Sequence, residues 1–349
     1  MQRTFRWSAY TWGVLLALVG IAAILWFVPV PYYISEPGSA LDVGTMVQIE
    51  GGEKSQGAFF LTTVSMKEAN IFWYLYSGIS PYMKRIPKEE VHRDDESSEE
   101  YFRRQMEVMQ ASQDDSIIAA YRYAGKKVDV KNNGVIVLER MEQMPASKEL
   151  VLGDIIQAVD GKKVLTSEEL LKALEGKKAD EEVRLTIRRN GKEIEKNVKL
   201  GQLPAKSDEP PRAGLGIVPL TDRTVKATPA VRVELEGVGG PSAGLMFALE
   251  IIDQLTPGDL THGKKIAGTG TMSPDGKVGQ IGGVEHKVVA AARKGADYFF
   301  VPADVEPGDT NYQKAKKTAQ QIGTSMKIVP VRTLQEAVNY LQELPSSGG

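Results

Sequence analysis

Gly239-Gly240-Pro241-Ser242-Ala243-Gly244 places a serine among glycines just before an apolar run. Leu245, Met246, Leu249, Ile252 and Leu255 follow with the spacing of one face of a buried helix. The first turn of a helix carries unpaired backbone N–H groups and the positive end of the helix dipole. A hydroxyl held there can attack a carbonyl while the developing negative charge is stabilised. The same stretch also describes an ordinary N-cap serine after a Gly-Pro turn. A nucleophile and a helix cap are therefore both open at this point.

A second stretch bears on the choice: Gly282-Gly283-Val284-Glu285-His286-Lys287-Val288-Val289-Ala290-Ala291-Ala292-Arg293-Lys294-Gly295. It reads as a helix with a glycine stop and basic residues in its last turn. Val284, Lys287, Val288 and Ala291 share one face, so Lys287 lies on the apolar stripe while Glu285 and His286 point elsewhere. A lysine withdrawn from water prefers the neutral amine. Beside a serine hydroxyl, such an amine can act as general base. The alternative is a rim lysine with a buried stem and its ammonium in water.

Pro241-Ser242-Ala243-Gly244, then Thr269-Gly270, then Gly282-Gly283 separated by three residues from Lys287 resemble the proteolytic domain of Lon proteases in order and approximate spacing. The resemblance implies Ser242 as nucleophile, Lys287 as general base and Thr269 as the support of the lysine. Thr271 stands where the family usually has an acidic residue. Backbone at Gly240 and Ala243 is the expected oxyanion and substrate contact. Met106 to Ala120 resembles, more loosely, the first helix of the same domain. Gly240-Pro241-Ser242-Ala243-Gly244 also satisfies the Gly-x-Ser-x-Gly elbow of α/β-hydrolases. That family needs a downstream histidine, and here His262 sits in a Thr-His-Gly-Lys turn and His286 lies off the apolar face.

Working towards the N-terminus, no charge occurs between Trp7 and Ser35, and Val14 to Val30 is apolar throughout. That is enough to cross a bilayer, which takes about 20 residues. Trp7, Trp12, Trp26, Tyr32 and Tyr33 flank the run as interfacial aromatics do. Arg3 and Arg6 precede it, so the positive-inside rule puts the N-terminus in the cytoplasm and the rest outside. A cleaved signal peptide is the competing reading, but the run is long and lacks a clear small-x-small cleavage site.

Residues 36–66 read as a hairpin, with strands at 46–50 and 58–66 joined by a glycine-rich loop. Ile71 to Tyr76 is aromatic and apolar, either core packing or a patch near the bilayer. Residues 84–104, including Asp94-Asp95-Glu96, read as a solvated linker or helix start, and Tyr101 to Tyr123 as a helix.

From 124 to 202 the character changes. Gly134 to Leu138 is a strand, Leu152-Gly153-Asp154-Ile155-Ile156 to Val159-Asp160-Gly161-Lys162 is a turn, strand and hairpin turn, and Thr166 with Glu169 caps a short helix. Val183, Leu185 and Ile187 alternate before an Asn190-Gly191 hairpin turn. This resembles a PDZ domain of the bacterial protease-associated type. The resemblance implies a peptide groove beside Asn133, Gly134, Val135 and Ile136, although Asn132 to Val135 departs from the usual Gly-Leu-Gly-Phe loop. A spacer or lid is the other role open to such a domain.

The expected fold is an α/β Lon-type proteolytic domain with an inserted β-rich PDZ domain, preceded by one N-terminal transmembrane helix. Its expected divisions are 1–8 cytoplasmic, 9–31 anchor, 36–123 first proteolytic part, 124–202 PDZ, 204–344 catalytic part and 345–349 disordered tail. Strands near 231–235, 265–268, 277–280, 298–301 and 326–329 alternate with helices in that last part. The arrangement resembles the membrane-anchored, PDZ-containing Lon-like peptidases of Gram-positive bacteria. It implies an extracytoplasmic serine endopeptidase acting on unstructured peptides or exposed segments of small secreted or membrane proteins, as in signalling-peptide maturation or division-regulator turnover. No Gly-x-x-x-x-Gly-Lys-Ser/Thr loop occurs in the 349 residues, so action without ATP is expected. With no cysteine and three histidines, no metal or cofactor is expected, and a net charge of −2 gives no reason to expect nucleic acid. The expected partners are a peptide or protein substrate, with PDZ assistance, and the membrane. An oligomer is open, since Lon-like domains often form rings. An inert PDZ-based membrane adaptor is the non-enzymatic alternative.

Overall fold

The computed structural model describes residues 9–91, 96–204, 212–235 and 237–345. The residues before Ala9, the Asp94-Asp95 pair, most of the proline-rich connection and the tail after 345 lie outside the described residues.

Helix α1 (Ala9–Phe27) contains the apolar span Tyr10–Phe27, with a mean hydropathy of 2.0. It ends four residues short of the expected anchor, and Val28 alone separates it from strand β1 (Pro29–Asp42). Then come β2 (Val47–Ile49), β3 (Ala58–Asn70), α2 (Ile71–Ser77), β4 (Lys84–Pro87), α3 (Lys88–Val91) and α4 (Ser98–Tyr123). The middle of the chain forms β5 (Lys127–Arg140), β6 (Ile155–Val159), β7 (Lys162–Lys163), α5 (Ser167–Leu174), β8 (Glu182–Arg189), β9 (Lys192–Lys199), β10 (Gly201–Gln202), β11 (Ala213–Gly214) and β12 (Ile217–Thr228). The last part supplies β13 (Val231–Val233), α6 (Gly244–Leu255), β14 (Lys265–Gly268), β15 (Thr271–Met272), β16 (Val278–Gly279) and α7 (Val284–Lys294). It closes with β17 (Tyr298–Pro302), α8 (Asn311–Gln321), β18 (Lys327–Val331) and α9 (Leu334–Gln342).

The main sheet runs β18-β17-β14-β3-β1-β4. β3, β14, β17 and β18 are parallel, and β1 and β4 add antiparallel at one side. Parallel strands need cover on both faces, and their sequences are accordingly apolar runs rather than alternations. Phe59, Leu61, Ile266 and Phe300 pack with residues of α4, α6 and α9. Phe60, Ala267, Phe299 and Val301 pack with residues of α7 and α8.

This pairing corrects the expected hairpin. β3 pairs with β1, with Asp42 opposite Phe60 and Tyr33 opposite Glu68, whereas β2 pairs with β13. Prolines at 29, 31 and 37 mask β1 as a strand, and its register shifts next to Pro29 and Pro37. The charged stretch likewise contains β4, where Ile86 lies opposite Tyr33.

A second sheet, β12-β5-β6-β8-β9 with β7 beside β6, has its own core around Val135, Ile156, Leu170, Leu185, Val198 and Leu215. β12 is its edge strand, so this unit extends to Thr228 rather than 202. The prolines at 204, 210 and 211 read as a domain boundary, which put β12 in the expected catalytic part. The long helix α4 touches both units. Its Arg104 lies 3.2 Å from Glu139 on β5, and its Asp115 pairs with Arg223 on β12.

Candidate active site

Ser242 and Lys287 reach the same point from opposite faces of the main sheet. Ser242 lies in a single 3-10 turn, Pro241–Ala243, that opens α6, and Lys287 lies in the first turn of α7. They meet just past the carboxyl end of β14, where Thr269 follows Gly268. Crevices at the carboxyl ends of parallel strands are the usual sites in such sheets.

Lys287 Nζ lies 2.6 Å from Ser242 Oγ and 3.0 Å from Thr269 Oγ1. The Thr269 hydroxyl donates to the Ser242 carbonyl at 3.0 Å, and the Gly270 N–H reaches the same oxygen at 2.9 Å. Thr269 is wholly buried and Lys287 is 3% exposed. Burial lowers the Lys287 amine to about 7. A neutral amine can donate to Thr269 and accept from the Ser242 hydroxyl at once. The group at Ser242 Oγ is thus a lysine, not the histidine of an α/β-hydrolase triad.

Two glycines make the approach feasible. Gly283, at φ 67°, turns the chain into α7, and a Cβ there would stand 3.0 Å from Val64 Cγ2 on β3. Gly240 has φ 89°, and its N–H donates to the Gln105 carbonyl at 3.0 Å. That bond removes the Gly240 N–H from the expected oxyanion contacts. Ala243 remains at the N-terminal turn of α6. His286, expected away from the packed face, is buried instead. α7 lies against β1 and β3, so a second face of the helix is covered, and burial then lowers the imidazole pKa, with Lys84 adding to the effect.

The residues that the sequence did not reveal lie on α4. The Ser112 hydroxyl donates to the Pro241 carbonyl at 2.8 Å, and the Ser116 hydroxyl donates to the Gly244 carbonyl at 2.9 Å. Together with the Gln105 carbonyl they hold both ends of the serine turn. The available signal was polar residues at i, i+7 and i+11 on the inner face of a helix.

The expected peptide groove is displaced. Asn133, Gly134, Val135 and Ile136 lie within β5, not in a loop. Val135 pairs with Thr221 on one side and Ile156 on the other, and Ile136 with Leu220 and Ile155. Both edges are occupied, so no peptide strand can add there. The outer edge of β12 faces α5 across a groove of about 600 Å³ lined by Leu170, Leu171, Leu174, Leu215, Ile217 and Pro219. At its end stands Gly214-Leu215-Gly216-Ile217, the Gly-Leu-Gly pattern that residues 132–135 lack. The Ser167 N–H, donating to Thr221 Oγ1 at 3.0 Å, ties the start of α5 to β12.

Residues 236–343 match the Lon protease (S16) C-terminal proteolytic domain, and residues 123–200 match the PDZ domain. The chain carries a PDZ domain and a Lon-type proteolytic domain. Over 108 residues it is 35% identical to the Lon protease of Neorickettsia sennetsu, covering 31% of this chain and 12% of that one. Over 102 residues it is 31% identical to the Lon protease of Mesomycoplasma hyopneumoniae, covering 29% and 11%. The match therefore spans about an eighth of these relatives' length. The PDZ domain of the SdrC-like protein from Listeria monocytogenes aligns at 26% identity with a TM-score of 0.24, covering 26% of this chain and 92% of that one. In this PDZ-containing Lon-like chain, Ser242, Thr269 and Lys287 all fall inside the Lon-type match.

Proposed function

We propose that the chain is a membrane-anchored serine endopeptidase with a Ser242–Lys287 dyad, acting outside the cytoplasm and without ATP. The carrying observation is the 2.6 Å contact between a buried lysine amine and the serine hydroxyl. Neutral Lys287 takes the Ser242 proton as Oγ attacks a peptide carbonyl. Backbone N–H groups at the start of α6, including that of Ala243, face the oxyanion, and the helix dipole adds to them. Lys287 then passes the proton to the leaving amine. Water, deprotonated by the same amine, hydrolyses the acyl-enzyme. Thr269 keeps the amine aimed at Oγ. Unstructured substrates suit this reading, namely peptides or exposed segments of small secreted or membrane proteins.

The test is cleavage of casein by the full-length protein in detergent without ATP, comparing wild type with Ser242→Ala. Turnover by wild type and its loss in the variant are expected. A variant as active as wild type would refute the dyad.

For the PDZ domain we propose that a peptide C-terminus adds as a strand to β12, its carboxylate at Gly214-Leu215-Gly216-Ile217 and its last side chain among Leu170, Leu171 and Leu174. Leu171 is exposed, so Leu171→Glu leaves folding intact while setting a negative charge beside the carboxylate. Titration calorimetry should show affinity for a peptide with an apolar C-terminal residue falling about tenfold or more. Unchanged affinity would place the peptide elsewhere.

A further inference from the structure

Phe72, Leu75, Tyr76 and Ile79 recur at i, i+3, i+4 and i+7 along α2 and the turn that ends it. That spacing normally marks a core-facing stripe. Here the stripe faces outward, with Leu75 59% and Ile79 80% exposed. The polar residue is inside: the Ser77 hydroxyl donates to the Tyr74 carbonyl and accepts from Arg85 Nε. A contiguous outward apolar face marks an interaction surface.

Continuity with α1 says what covers it. The Asn70 side-chain amide donates to the Trp26 carbonyl at 2.7 Å, and the Ile71 N–H donates to the Val28 carbonyl at 3.1 Å. The Trp26 ring lies 5.7 Å from Phe72 and 6.5 Å from Trp73. Behind these rings stand cations, with Lys67 Nζ 3.6 Å from the Trp73 centroid and the Arg85 guanidinium 4.2 Å from that of Tyr74. Apolar side chains outermost, aromatic rings next and cations behind them match the layering of a bilayer interface.

We propose that Phe72, Leu75, Tyr76 and Ile79 sit in the lipid interface of the membrane that α1 spans, giving the catalytic unit a second attachment. The proposal rests on α1 being a membrane span. A soluble partner or a second copy would have no reason to continue the aromatic layer of α1.

The chain has no cysteine, so each substitution adds a single thiol for a fluorophore. Full-length Leu75→Cys and Ile79→Cys, reconstituted in phosphatidylcholine–phosphatidylglycerol vesicles, are compared with Leu18→Cys in α1 and Lys265→Cys. Lys265 is exposed and pairs with Ala58, at the end of β3 remote from α1. The expected result is quenching of positions 75 and 79 by nitroxides near the lipid headgroups and loss of quenching by aqueous iodide, with position 265 the reverse. Iodide access at 75 and 79 with position 18 protected by lipid overturns the interface and leaves the anchor standing. Shielding of 75 and 79 from both quenchers shows a protein occupant and overturns it too. Iodide access at position 18 overturns the anchor, and the proposal with it.

Discussion

Lys287→Met is expected to reduce casein cleavage about a thousandfold or more while leaving the protein at least as stable as wild type. The activity loss follows from the proposed base being the group 2.6 Å from Ser242 Oγ. The stability follows from the burial that makes the base usable. Folding lowers the amine from 10.5 to about 7, and at about 1.4 kcal/mol per unit the penalty is of order 5 kcal/mol at most. The sign is set by proton counts. Between pH 7 and 10.5 the unfolded lysine keeps a proton that the folded one has lost, so stability rises with pH through that window. Below pH 7 the penalty is present in full, and by pH 10.5 it has vanished. Methionine fills the space with no charge to desolvate, so its stabilising effect should be largest at or below neutrality and fade towards pH 10.5. Wild-type activity should rise with pH through about 7 and then level off, as the amine deprotonates. Denaturant melts and kcat/KM measured across pH check both halves. Undiminished cleavage by Lys287→Met sinks the dyad, and a strongly destabilised variant sinks the account of its burial.

Asp154→Ala should weaken the PDZ domain by about 2–3 kcal/mol, because it removes a fully buried carboxylate and leaves the partly exposed Arg189 guanidinium and the Val151 N–H without their acceptor. Asp154 is fully buried and accepts two bonds of 2.7 Å from Arg189. A third, from the Val151 N–H at 2.9 Å, closes the turn into β6. The Asp154 carboxylate holds the Arg189 guanidinium above its ordinary pKa. Hydrogen exchange of the amides in β5, β6 and β8 would read the loss directly in the intact chain. Asp154→Leu combined with Arg189→Met should recover part of it, since removing both charges leaves neither stranded. A change in Asp154→Ala below about 1 kcal/mol would place this pair among surface contacts.

The parts of the molecule written in local pattern were legible in the sequence. Lys287 could be set on the apolar stripe of α7 from spacing alone, and the strands and helices expected after residue 230 match observed elements within a residue or two, with the short strand β15 missed. What could not be read was partnership across the chain. β3 is an apolar run whichever strand it joins, and nothing local says that Pro29–Asp42, broken by prolines, lies beside it. The usual PDZ order puts the peptide groove at the start of the domain sequence, here residues 133–136. Its edge strand instead comes last, behind a proline-rich connection that looked like a linker. Gln105, Ser112 and Ser116 act through backbone carbonyls and hydroxyls, a role that leaves almost no mark on residue type.

β3 has a further consequence through its length. It ends at Asn70 against α1 and passes the catalytic crevice at Thr62, whose hydroxyl donates to the Gly268 carbonyl at 3.1 Å. With α1 as the proposed membrane span, those eight residues, at about 3.3 Å each, put Ser242 at a height of up to roughly 26 Å above the point where α1 would leave the lipid. Val28 alone lies between α1 and β1, and bonds from Asn70 to Trp26 and from Ile71 to Val28 tie that junction, which leaves little slack. On the proposed anchoring, a substrate tethered in the same membrane would have to rise to the enzyme, on a free tail of about eight extended residues. On that reading, neighbours with shorter tails would be out of reach whatever their sequence, and the choice of target would be made partly by distance.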